Sequence, residues 1–196
     1  MRCFSSTTNL DGWQDILAAN GHLDEAINSV QPRVLFAQPP QIFRNVNGGR
    51  FQLANAKLGA DLSKPAVARG AAYADYDRDG DLDVVLSINN GSARLLRNDG
   101  GSANSYLGIQ LVGDRSNRNG FGAVVKLTSA SGTQTQTVRS GSSYCSQSES
   151  ALTFGLGRDD MAQNIEITWP SGQTQSFGNV AARRRITIHE TSGIAD

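Results

Sequence analysis

The stretch Asp75-Tyr-Asp-Arg-Asp-Gly-Asp-Leu-Asp83 carries a carboxylate at every second position and a glycine at the sixth. That phasing reads as a calcium loop. Ca²⁺ is a hard cation that takes about six to eight oxygen ligands, and loops of this kind supply them from positions one, three, five, seven and nine. Those positions are Asp75, Asp77, Asp79, Asp81 and Asp83, with position seven ordinarily giving its backbone carbonyl. Gly80 allows the sharp turn. Five carboxylates in nine residues, offset by Arg78 alone, repel one another in a closed loop, and a divalent cation relieves that repulsion. Mg²⁺ suits the loop less well, because it prefers one or two carboxylates plus water and phosphate to a crowded protein cage.

The flanks decide the fold class. An EF-hand needs a helix on each side and a bidentate Glu at position twelve, where this chain has Leu86. Before the loop runs Gly70-Ala-Ala-Tyr-Ala74, and after it Val84-Val-Leu-Ser-Ile88, an apolar, β-branched run that predicts a buried strand closed by the Asn89-Asn-Gly91 turn. The loop therefore joins strand to strand.

Working backwards, Thr7-Thr-Asn-Leu-Asp-Gly-Trp-Gln-Asp15 aligns with Asp75 to Asp83, glycine on glycine. Asn9, Asp11 and Asp15 keep oxygen ligands at positions three, five and nine, while position one is Thr7. Fewer charges mean weaker binding, so a weak second site and a turn that has lost its metal both fit. Ile16-Leu-Ala-Ala-Asn-Gly21 then parallels Val84 to Gly91, an internal repeat lengthened by an insertion at 22–40 that ends in Gln-Pro-Pro and predicts an extended connection. Gln41 to Leu53 predicts a hairpin around Asn47-Gly-Gly49, echoed by Ala93 to Gly101. Strand, Asp loop, strand, turn, strand, turn, strand is the pattern of a propeller blade.

Beyond residue 105 the pattern changes. Leu107, Ile109 and Leu111, then Ile165, Ile167 and Trp169, then Ile186 and Ile188 alternate with small or polar neighbours, the period of half-buried strands. With Val124 to Leu127, Thr133 to Val138, Leu152 to Phe154 and Gln173 to Phe177 they predict about seven strands, enough for a small β-sandwich.

These stretches carry a family resemblance. Ala72 to Leu86 with Arg94-Leu-Leu-Arg-Asn98 resembles the FG-GAP or VCBS repeat. Tyr106 to Gly113, Ser116 to Val125, Ser140-Gly-Ser-Ser-Tyr144 and Trp169-Pro-Ser-Gly172 resemble the ASPIC/UnbV domain of proteins related to cartilage acidic protein. The resemblance implies calcium in the Asp loop and a cell-surface or extracellular setting. The fold class expected is all-β, with incomplete FG-GAP-type propeller blades over 1–104 followed by a small antiparallel β-sandwich over 105–191. One complete repeat and a half-repeat before it do not close a ring, so the chain reads as a C-terminal part of a longer protein, one whose export leader lies outside it.

Composition narrows the function. The 196 residues are 38% hydrophobic and 18% charged, as in ordinary globular proteins, and Lys+Arg and Asp+Glu both number 18. Zero formal net charge gives no footing for nucleic acid, and no apolar run is long enough to span a membrane. Cys3 and Cys145 fit no metal spacing and read as free thiols, Cys145 as a small buried residue. His22 and His189 belong to no catalytic motif, and Ser140, Ser142 and Ser143 lack a nucleophile elbow and read as turn hydroxyls. Arg183-Arg-Arg185, with His189, reads as a solvated edge strand. The expectation is a non-enzymatic, calcium-binding extracellular module that recognises a protein or glycan. Alternatives are an accessory protein of an enediyne-type pathway and a structural spacer, and a deep pocket joining Cys145 or His189 to a carboxylate would favour the former.

Overall fold

A computed structural model describes the chain except for residues 1, 7, 47, 56, 57, 101, 102, 142 and 196, and for residues 2–6 it describes the backbone course alone. Thr7, Asn47, Ser142 and the Cys3 side chain therefore lie outside the described residues. The architecture is all-β, as the alternating patterns require, and no sheet closes into a barrel among the described residues.

The first sheet runs β1 (Arg2–Ser6), β2 (Asp15–Ala19), β3 (Gln41–Val46), β4 (Arg50–Leu53), each antiparallel to the next. A strand thus precedes the first loop, and the unit expected as a half-repeat is a four-stranded blade. The insertion is not simply extended: it holds the one-turn helix α1 (Ile27–Val30) and bridges Gln38 to Ala66. The second sheet is β5 (Ala68–Ala74), β6 (Asp83–Ile88), β7 (Arg94–Leu96), three-stranded among the described residues.

The two blades share one core. Leu17, Ala19 and Ile42 from the first meet Ala68, Ala71, Val84 and Leu86 from the second. Only one face of β6 is covered, because Val85 is 42% exposed opposite Leu95, itself 49% exposed. The run Val84 to Ile88, expected as a buried strand, is half-buried because no further layer covers that face among the described residues.

Two four-stranded sheets form the second unit: β10 (Gly132–Thr137), β9 (Val124–Ser129), β12 (Met161–Thr168), β13 (Thr174–Ala181), and β11 (Leu152–Gly157), β8 (Ser105–Val112), β14 (Arg184–His189), β15 (Gly193–Ala195). Between them lies a continuous core in which Phe154, Trp169, Leu107, Ile109, Ile165 and Ile188 are sealed from solvent. The sandwich departs from the expected pattern twice. Strand β14 pairs with β8 in parallel, and β15 extends the sheet past residue 191. Consequently His189 sits on an interior stretch of strand, paired to β8 on one side and to β15 on the other, whereas Arg184 and Arg185 pair with β8 alone and are exposed, as a solvated edge requires. No helix among the described residues is long and apolar enough to cross a membrane.

Candidate metal centre

The loop between β5 and β6 folds its alternating carboxylates inward because its backbone reverses twice. Arg78 takes φ +64° and Gly80 φ +99°, the left-handed region that glycine enters at no steric cost. As a result one carboxylate oxygen from each of Asp75, Asp77 and Asp79 lies within 4.8 Å of the others. Asp79 also accepts the Asp81 N–H at 3.1 Å, which fixes the turn. The Oδ1 atom of Asp75 is buried and has no hydrogen-bond partner among the described residues. Burial pushes the Asp75 carboxyl up from its ordinary pKa, against the pull of the Gly80 N–H and the Arg185 guanidinium, and Asp79 pushes it further. Such a carboxylate oxygen, held among like charges, fits a hard dication.

Asp81 and Asp83 stand apart from this cluster. Asp81 is fully buried, and Asp83 is 2% exposed with both oxygens on backbone donors. Its Oδ2 accepts the Tyr76 N–H at 3.0 Å and its Oδ1 the Asn98 N–H at 2.8 Å. The first loop repeats that brace. Asp15 accepts the Thr8 N–H at 2.9 Å and the Asn45 N–H at 2.8 Å, and it is 1% exposed. Position nine thus ties each loop closed and anchors it to the next strand of its own blade.

Elsewhere the loops differ. In the first, Asp11 accepts the Asn9 amide at 2.7 Å and the Trp13 N–H at 2.9 Å, and the Arg44 guanidinium stands 3.9 Å from its Oδ2. Asn9 and Asp15 supply no second carboxylate to the place where Asp75, Asp77 and Asp79 converge in the other loop. Asn9 Oδ1 is buried without a hydrogen-bond partner among the described residues, and the charge beside Asp11 is a guanidinium.

Both loops seat on neighbouring strands of the sandwich. A Cβ at Gly80 would stand 1.9 Å from the Tyr106 ring on β8, and one at Gly155 on β11 would stand 2.5 Å from the Leu10 backbone. Gly157 N–H donates to the Leu10 carbonyl at 2.8 Å, and the Asn104 amide to the Asn9 carbonyl at 2.7 Å. Beside the metal loop, Glu149 accepts the Asp75 N–H at 3.3 Å with one oxygen and binds Arg185 at 2.7 Å with the other. Burial raises the Tyr106 hydroxyl pKa, and the nearby Asp75 carboxylate raises it further.

Comparison with known proteins follows this division. Residues 8–86 match the FG-GAP-like repeat, and residues 113–195 match the family described as ASPIC and UnbV. The chain carries an FG-GAP-like repeat region followed by an ASPIC/UnbV domain. It is similar to cartilage acidic protein 1 of Mus musculus, 35% identical over 127 residues that make up 60% of this chain and 19% of the relative. The Homo sapiens protein of the same name is 35% identical over 141 residues, 67% of this chain and 20% of the relative. The chain spans about a fifth of the length of these curated relatives. None of the matched descriptions names a catalytic activity.

Cys145 is exposed at φ +48° in a tight turn, not buried as expected, because the turn directs the neighbouring serines towards β5 of the FG-GAP region. Ser146 Oγ accepts the Ala71 N–H at 3.0 Å and Ser148 Oγ the Tyr73 N–H at 3.1 Å. The grooves of about 480, 570 and 200 Å³ are lined by neither Cys145 nor His189.

One residue escaped the sequence reading altogether. Glu190 is fully buried in the ASPIC/UnbV domain, where it accepts the N–H groups of Asp114, Arg115 and Ser116 at 2.9, 2.7 and 2.7 Å and the hydroxyls of Ser116 and Ser171 at 2.8 and 2.5 Å. Burial works against its charge, but the donors of Ser116, Ser171 and Asp114 outweigh it and hold its pKa at about 2. The Trp169-Pro-Ser-Gly172 turn owes its position to this carboxylate through Ser171. Only the Asp114-Arg-Ser116 turn, with its single serine, lay in the sequence as a local sign of an anion's donors.

Proposed function

We propose that the chain is a calcium-stabilised recognition module of an extracellular or cell-surface protein, in which the Asp75 to Asp83 loop holds a structural ion. The carrying observation is the buried, unpartnered Oδ1 of Asp75 beside the carboxylates of Asp77 and Asp79. Calcium, when bound, neutralises that cluster and locks the loop against Tyr106 and Glu149. Asp75, Asp77 and Asp79 would hold it, with the Asp83 brace keeping the loop closed. The ligand set is all carboxylate oxygen, which favours Ca²⁺ over the softer metals. The curated relatives carry the name cartilage acidic protein 1, which supports a matrix setting. Protein or glycan is the partner class, since loops on a rigid β scaffold usually carry recognition.

Calorimetric calcium titration of the chelator-stripped protein, with thermal melts of wild type and Asp77→Ala, tests the reading. Saturable uptake is expected, with a melting temperature raised by roughly 5–10 °C at about a hundredfold excess over Kd. Asp77→Ala should lose both effects. A folded wild-type protein that takes up no calcium removes the structural-ion reading.

A further inference from the structure

Where the first loop departs from the metal pattern, it presents an aromatic side chain instead. Position seven of the loop, Asp81 in the second copy, is Trp13 in the first. Its side chain is 47% exposed. One side of the indole rests on the hairpin turn between β3 and β4: a Cβ at Gly48, whose φ is +75°, would stand 2.6 Å from the ring. The backbone N–H of Trp13 is held by Asp11 at 2.9 Å, and Asp11 is in turn held by the Asn9 amide at 2.7 Å. The ring is thus pinned from behind and from below, and its remaining surface borders a groove of about 480 Å³ that Arg44, Asn45, Gln52, Leu53 and Leu58 also line.

From this arrangement we infer that the groove is a binding site for a neutral saccharide. The inference deepens the recognition half of the reading above and rests on it. The groove's volume falls within the roughly 300–1,000 Å³ of small-ligand clefts. Its lining joins an aromatic platform to planar hydrogen-bonding groups, which suits a ligand with an apolar C–H face and a rim of hydroxyls. Asn45 is fixed in place, because its Oδ1 accepts the Gly49 N–H at 3.0 Å. The Gln52 amide makes no hydrogen bond among the described residues and is exposed to the groove's mouth. Charge selects against an anionic glycan: the lining holds one cation, Arg44, and one anion, Asp11, 3.9 Å apart.

Retention of the full chain on immobilised galactose-, mannose- and N-acetylglucosamine-terminated oligosaccharides, with heparin as the anionic comparison, tests this. The chain has two tryptophans, and Trp169 is 2% exposed, so changes in emission and in acrylamide quenching report on Trp13. A retained neutral glycan should shield Trp13 from acrylamide. Trp13→Phe should weaken binding by roughly tenfold with an unchanged thermal melt, and Gln52→Ala should weaken it to a lesser degree while leaving the platform intact. Retention of no neutral glycan, retention by heparin alone, or equal binding by Trp13→Phe would overturn the assignment. Parallel runs in calcium, in chelator and with Asp77→Ala separate the two readings. Calcium uptake without glycan retention removes the saccharide site alone, and retention without calcium uptake removes the structural ion alone.

Discussion

At the scale of single residues, buried and half-buried carboxylates brace this chain through hydrogen bonds to distant or neighbouring donors. Asp15 and Asp83 bind backbone N–H groups, Glu149 joins a backbone N–H to Arg185, and Glu190 gathers three N–H groups and two hydroxyls. Charge-assisted hydrogen bonds of this kind are about twice as strong as neutral ones. The consequence for pH follows from the depressed pKa of Glu190, about 2 against an ordinary 4.5. A group whose pKa is lower in the folded state favours folding where it is charged in both states, above about 4.5, and ceases to favour it once the pH has fallen through about 2. Thermal melts of wild type and Glu190→Gln across this range should show a gap of several degrees at neutral pH that closes as the pH falls from about 4.5 towards about 2. A gap that stays constant down to the acid limit would deny Glu190 this role.

At the scale of elements, the open edge of a blade is managed by side chains of another unit. Strand β5 is an outer strand of its sheet, and the N–H groups of Ala71, Tyr73 and Asp75 point away from β6. Ser146, Ser148 and Glu149 receive them in turn, so the serine-rich segment protects the edge that unpaired strands ordinarily expose. Ser146→Ala would leave the buried Ala71 N–H without its acceptor, at a cost of about 1–3 kcal/mol. Ser146→Ala/Ser148→Ala should therefore lower the denaturant midpoint without changing the slope, and hydrogen exchange should quicken at Ala71 and Tyr73. Unchanged exchange at those two amides would mean that the edge is protected by packing alone. These contacts also mark the limit of what local patterns convey. The alternating Asp residues and the period-two strands were legible because each is a pattern within one short stretch, whatever it later pairs with. Glu190 was not, since its partner Ser116 is 74 residues away, and neither was the capping role of Ser146, 75 residues from Ala71. His189 was misread for the same reason: β14 looks like an edge strand until its parallel pairing with distant β8 and the pairing of His189 with Gly193 place that end mid-sheet.

At the scale of the whole molecule, the two units differ in how much they bury, and the metal loop lies on the seam between them. The sandwich core contains Trp169 and Phe154 with a full set of branched aliphatics, whereas the fully buried part of the core shared by the blades includes nothing bulkier than leucine and isoleucine among the described residues, with Tyr73 packed half-buried against it. The blades also leave Phe51, Leu53, Val85 and Leu95 exposed on outer strands and faces. Burial of apolar surface contributes roughly 25 cal/mol per Å², so the sandwich holds the larger share of the driving force. The blades in turn depend on the loops docked against Tyr106 and Gly155, and one of those loops gathers like charges beside the seam. Calcium should therefore protect the blades more than it protects the sandwich. Limited proteolysis of the full chain, followed by mass spectrometry, reads this directly. In chelator the first cuts should fall before residue 105 and leave a resistant piece that starts near Ser105. With calcium those cuts should slow severalfold, while cleavage within the sandwich stays unchanged. First cuts within β8 to β15, or a cleavage pattern indifferent to calcium in a protein that binds it, would show that the loop does not lock the seam.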